Sequence, residues 1–116
     1  MNIEELRDYC ISKKGVTEDF PFDETTLVFK VMGKMFVLTD LEGPLSLNLK
    51  CNPEKAAELR ERYQSVQPGY HMNKKHWNTI VVSEMTNDKL VYQWIDDSYE
   101  LVVKSLPAKF RELLSK

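Results

Sequence analysis

The chain has 116 residues, 42% hydrophobic and 29% charged, with a formal net charge of −2. That length suits one domain with a single core, and the composition is neither that of a disordered chain nor that of a membrane protein. No apolar run approaches the ~20 residues of a transmembrane span, and a balance this close to neutral argues against a strongly basic nucleic-acid binder.

The start, Met1-Asn2-Ile3-Glu4-Glu5, lacks the basic and apolar pattern of a secretion signal. The expectation is therefore a cytoplasmic monomer with no membrane contact. Asn2 followed by Glu5 reads as a capping box opening a helix whose apolar face is Ile3, Leu6, Tyr9 and Cys10. Lys13 and Lys14 suit the negative end of its dipole, and Gly15 can take the left-handed stop conformation. Cys10 belongs on the buried stripe, whereas Cys51 stands between a strand and a helix start; neither has metal-type spacing to another ligand.

Residues 16–24 read as a connector. Glu18, Asp19, Asp23 and Glu24 surround Phe20-Pro21-Phe22, with the phenylalanines expected to fold onto the core and the carboxylates to stay wet. Nothing nearby would exchange a proton with those acids, so they do not read as a catalytic pair. Two strands, residues 26–31 and 34–39, meet at Met32-Gly33, a tight hairpin. Gly43-Pro44 turns the chain into residues 45–50, which alternate cleanly: Leu45, Leu47 and Leu49 toward the core, Ser46, Asn48 and Lys50 away from it.

Asn52-Pro53 is a cap residue followed by proline at the first helical position. Ala56, Leu59 and Tyr63 share one face of that helix, which is expected to end near Gln64, while Lys55, Arg60 and Arg62 fall on a solvated face. Residues 79–83 form a short β-branched strand. Asn87 opens a long helical region through Leu90, Trp94, Ile95, Leu101 and Val102. Asp97 with Glu100 makes a second capping box, so this region is readable as two helices meeting at Asp96-Asp97. A last short helix carries Phe110, Leu113 and Leu114. Periodicity thus gives four strands, an α+β class, and a sheet that needs a layer of helices on its apolar face.

Charge is unevenly spread: residues 1–43 carry −4, residues 44–83 carry +3, and residues 84–116 carry −1. The basic part includes the one stretch that periodicity does not explain, Gln67-Pro68-Gly69-Tyr70-His71-Met72-Asn73-Lys74-Lys75-His76-Trp77-Asn78-Thr79, which holds both histidines. Connectors of this length are often functional. Two histidines five apart are too few ligands for a metal, and no cofactor is expected. Thr79 and Ser83 lack the oriented base of a nucleophile. Phosphate contact fits better: Lys74 and Lys75 supply charge, His71 and His76 can donate, and Asn73 can bond a phosphate or a base edge. Tyr70 or Trp77 can stack on an unpaired base. The structural alternative makes Trp77 the anchor of the loop, Asn73 a turn residue bonding its own backbone, and the lysines plain surface.

Tyr9-Cys10, Leu47-Asn48-Leu49-Lys50, Pro68, the string His71-x-Asn73-Lys74-x-His76-Trp77 followed by Thr79, and Asp96-Asp97-Ser98-Tyr99 together resemble the MmcQ/YjbR family of small bacterial proteins. The resemblance runs over nearly the whole chain as one domain, residues 1–116. It implies a two-layer α+β fold, α-β(3)-α-β(2)-α, an antiparallel sheet packed on helices as in secretion chaperones and CyaY-like proteins. It also implies a fifth strand, for which Gly69-Tyr70-His71 is the available stretch. The family is described as DNA-binding through a double-wing-like arrangement, and no enzymatic activity is implied.

The leading expectation is therefore a DNA-binding protein of low sequence specificity. His71, Asn73, Lys74, Lys75 and His76 would make the phosphate contacts, supported by Lys50, Arg60 and Arg62. A chaperone-like protein-interaction module is the alternative, and a small-ligand site around His71, His76 and Asp97 a third.

Overall fold

Ten elements appear in the computed structural model, which describes every residue except His71. They are α1 (Ile3–Ile11), β1 (Val16–Asp19), β2 (Thr26–Val31), β3 (Lys34–Asp40), β4 (Ser46–Lys50), α2 (Pro53–Arg62), β5 (Val66–Pro68), β6 (Trp77–Val81), α3 (Asp88–Lys104) and α4 (Ala108–Leu114). The expectations placed on His71 lie outside the described residues. The six strands form one antiparallel sheet in the order β1-β2-β3-β4-β6-β5.

Local chemistry sets the element ends. The side chain of Asn2 accepts from the Glu5 N–H, that of Asn52 from Glu54 and Lys55, and that of Asn87 from Lys89 and Leu90, each satisfying donors at a helix start that have no intrahelical partner. The β2–β3 hairpin turns through Met32 at φ 49° and Gly33 at φ 87°. Positive φ at both central residues is the twist that matches paired strands, and Met32 bears the steric cost of it.

α3, α1 and α2 cover one face of the sheet. Leu6, Cys10, Phe29, Val31, Leu47, Leu49, Leu59, Ile80, Val91, Ile95 and Val102 are buried there as one cluster. A bulge lets β3 contribute two consecutive residues to it. Phe29 lies opposite Val37 but Lys30 lies opposite Met35, so Phe36 is the extra residue and both Phe36 and Val37 face the helices. Phe36 is fully buried, edge-on to Tyr99 at 5.4 Å between ring centres, a burial worth about 2–3 kcal/mol.

Five expectations need correction. Residues 16–24 are not all connector, because β1 pairs with β2 from Val16↔Val31 to Asp19↔Val28; four residues with two acids are too short a run for alternation to announce. The strand expected near Gly69 is β5, Val66–Pro68, directly after α2 ends at Arg62. The late region is one helix, since Asp97 accepts from Gln93 Nε2 on the preceding turn instead of capping a new start. Phe20 and Phe22 do not reach the core: they are 46% and 63% exposed. Trp77, read as a possible stacking platform, is buried.

Candidate binding groove

The face of the sheet away from the helices is only half covered. Cross-strand register lines up Val28, Leu38, Asn48, Thr79 and Gln67 across five strands on this face. A small second core of Val28, Leu38 and Trp77, with Met35 and Met72 packed on it, closes one half. Loop residues 72–76 form the lid of that half, because Met72 belongs to this cluster and Trp77 roots it.

Short bonds fix the loop. The Gly69 N–H donates to the Trp77 carbonyl at 3.0 Å, and the N–H groups of His76 and Trp77 both donate to the Asn73 carbonyl. The Asn73 side chain accepts from the Lys75 N–H at 2.9 Å, which is the turn role that Asn suits. Tyr70 N–H donates to Thr79 Oγ1 at 2.9 Å, and that hydroxyl donates onward to Asn48 Oδ1 at 2.6 Å, tying loop to sheet. Arg60 Nη1 donates to the Lys74 carbonyl at 2.7 Å, so α2 braces the loop tip. Gly69 has no room for a side chain: a Cβ there would lie 2.9 Å from both the Cβ and the carbonyl oxygen of Trp77.

The other half of the face is a groove of about 830 Å³. Its floor is Thr26, Ser46, Asn48, Thr79 and Val81. One end is formed by Phe22, Asp23 and Asp40 on the β2–β3 side, the other by Pro68, Tyr70 and Lys74 on the β5–β6 side. Phe22 is 63% and Tyr70 70% exposed. The N–H groups of Thr25 and Thr26 donate to Asp23, holding its carboxyl below the usual aspartate range. Asp40 accepts from the Glu42 N–H, and the Lys74 ammonium donates to the Gly69 carbonyl at 3.0 Å. Among the described residues lining the groove, Asp23, Asp40 and Lys74 are the charged ones.

The residues singled out from sequence are thus only partly gathered. Arg60, Asn73, Lys74 and Lys75 share the loop tip. His76 is half-buried, its carbonyl accepting from the Cys51 N–H at 2.7 Å. Lys50 is half-buried opposite Trp77 at the foot of the loop. Arg62 lies over the Tyr63 ring and lines a different recess with Ser83 and Asn87. Sequence reasoning did not assemble Phe22, Asp40, Asn48 and Gln67 into a site. The available signal was Ser46 and Asn48: polar residues on the second face of a central strand mean that face is not packed.

A family model described as YjbR matches residues 11–101. The chain belongs to the YjbR family. It is 34% identical to the YjbR protein of Escherichia coli over 115 residues, covering 98% of both chains. Its structure is similar to that of Deinococcus radiodurans DR2400, a DUF419 domain, with a TM-score of 0.90 and 40% identity over 98% of this chain and 88% of that one. A Pseudomonas syringae structure aligns with a TM-score of 0.76 and 28% identity, covering 87% of this chain and 98% of that one.

Within this YjbR chain, much of the resembling sequence does packing work. Tyr9 Oη donates to Asp96 at 2.7 Å, Lys13 pairs with the same carboxylate and lies over the Tyr9 and Tyr99 rings, and Tyr99 Oη donates to the Lys14 carbonyl. Together they clamp α1 to α3. Asn48, Thr79, Asn73 and Trp77 form the groove floor and the loop that walls it. Among the described residues, no helix is long and apolar enough to cross a membrane, and no group of three or more His, Cys, Asp and Glu is placed to hold a metal.

Proposed function

We propose that this chain is a protein-interaction module whose open-face groove holds an extended stretch of a partner polypeptide. The observation that carries this reading is the lining: polar Ser46, Asn48 and Gln67 lie beside apolar Leu38, Met72 and Val81, between two exposed aromatic rings, Phe22 and Tyr70. Amide and hydroxyl groups suit peptide backbone, and exposed aromatics are enriched where protein partners dock. Two carboxylates at one end of the groove work against a phosphate backbone there. No catalytic step is assigned, and the module acts as a monomer.

The test is selection of a random dodecapeptide display library against the protein and against Ser46→Trp, which fills the groove floor without removing a side-chain bond. Peptides enriched on the first and lost on the second support the reading. Absence of enrichment, or enrichment that the tryptophan leaves intact, sinks it.

Nucleic-acid binding is the second reading, favoured by the adjacency of Arg60, Lys74 and Lys75 at the loop tip and by the exposed Tyr70 ring beside them. Unpaired strands fit it better than duplex, because a ring can stack on a base while three cations neutralise few phosphates. It requires that an oligothymidine bind at low salt, that affinity fall with added salt at a log–log slope of about 2, and that Lys74→Ala/Lys75→Ala abolish it. Binding that ignores either change removes this reading.

A further inference from the structure

The groove is electrically polar along its length, and this selects what it can hold. Taking the groove as a polypeptide site, the geometry points to a partner segment with a fixed charge order: a Lys or Arg seated between Asp23 and Asp40, and an Asp or Glu against Lys74. Asp23 and Asp40 belong to the β2–β3 end, next to exposed Glu24 and Glu42. Lys74 stands at the β5–β6 end, beside exposed Lys75. The two ends also inherit the division of the chain into an acidic first third, −4 over residues 1–43, and a basic middle, +3 over residues 44–83.

Strand order sets the spacing. From β3 to β5 the sheet runs β3-β4-β6-β5, three inter-strand steps or about 14 Å at about 4.8 Å each, and the register adds about 13 Å along the strands, because Asp40 is level with Ser46 while Gly69, which holds the Lys74 ammonium, is level with Trp77 and Lys50. An extended segment crossing the sheet on that diagonal of about 19 Å rises about 3.3 Å per residue, so its two charges are about six residues apart. Between them, side chains facing the floor meet Ser46, Asn48, Thr79 and Val81, which favour small or β-branched residues over bulky ones. Phe22 and Tyr70 flank the segment at either end and can lie along the aliphatic stem of the basic residue and the backbone next to the acidic one. Charges at the ends of a binding groove fix register and direction more than they add affinity.

The experiment extends the peptide selection to the double reversal Asp40→Lys/Lys74→Glu and to the neutral pair Asp40→Asn/Lys74→Gln, with thermal melts by circular dichroism confirming that each folds. Asp40→Asn keeps the oxygen that accepts from Glu42. Groove-dependent peptides from the unmodified protein should carry a basic and an acidic residue about six apart in one order. The reversal should select the opposite order and bind the original peptides about tenfold more weakly, with charge-swapped peptides gaining as much. The neutral pair should select peptides without any order. Groove-dependent peptides lacking a charge order, or keeping theirs against the reversal, overturn the inference and leave the groove as a peptide site. If no groove-dependent peptide is found, both fall together. Light scattering that gives a dimer for the unmodified protein and a monomer for Ser46→Trp would assign the groove to a second copy of the chain and overturn the inference too.

Discussion

Ser98 donates its hydroxyl proton to the Phe36 carbonyl at 2.6 Å, and the same oxygen accepts from the Lys50 N–H at 2.9 Å. The β3–β4 pairing covers Val37↔Leu49, Leu38↔Asn48 and Thr39↔Leu47, so Phe36 and Lys50 are the next positions along it. The bulge at Phe36 leaves this carbonyl and this N–H bridged by a helix side chain. α3 thereby completes the sheet as well as covering it.

Ser98→Ala removes the bridge and leaves a donor and an acceptor inside the fold, since Ser98 is fully buried. The expected loss is about 2–3 kcal/mol of unfolding free energy, measured by urea denaturation with an unchanged slope. A loss near zero would mean that water or a local shift replaces both bonds.

Gly69 is required for space: its φ is not among the positive ones. A methyl group at 2.9 Å from the Trp77 Cβ and carbonyl oxygen and 3.1 Å from the Met72 Cβ must push the loop away from the sheet. Gly69→Ala is expected to cost about 1–3 kcal/mol, and faster hydrogen exchange at the Gly69 and Tyr70 amides would show that the loop has lifted. Trp77→Ala should cost more, about 3–5 kcal/mol, because it empties the second core.

Two groups at the α1–α3 contact make the fold sensitive to alkali. Burial pushes the Cys10 thiol up to about 12 from an ordinary 9.0, and burial with the bond to Asp96 pushes the Tyr9 hydroxyl up to about 12 from 10.0. A folded value above the unfolded one means the folded state holds its proton longer. The stability is fully present below pH 9.0 and lost as pH rises toward about 12. Melting temperature should therefore fall across that window, and Cys10→Ala should flatten the early part of the fall.

The two thiols should also separate chemically. Cys10 is buried and Cys51 is half-buried, and burial raises the pKa of both. A thiol reagent at pH 8 is expected to label Cys51 slowly in the folded protein and Cys10 only after unfolding, read by mass spectrometry of peptides. Equal rates would mean that α1 opens readily.

The sequence by itself determined where α1, α2 and α3 begin, the β2–β3 hairpin and the orientation of β4, because caps, glycine turns and strict alternation are written in residues close together. Asn2, Asn52 and Asn87 each bond N–H groups two or three residues on, so no distant contact was needed to place them. It also carried the family, through the string from Pro68 to Thr79 and the run around Ser98. Only the tertiary structure decided which face of the sheet stays open and what meets there. Asp40 and Lys74 line one groove although 34 positions separate them, and Phe22 stands exposed at the end of that groove, on the face opposite the helix-side core that Phe36 enters through the β3 bulge. Strand order, bulges and the path of a loop over a sheet depend on pairings between distant segments, and no local pattern of residues encodes those.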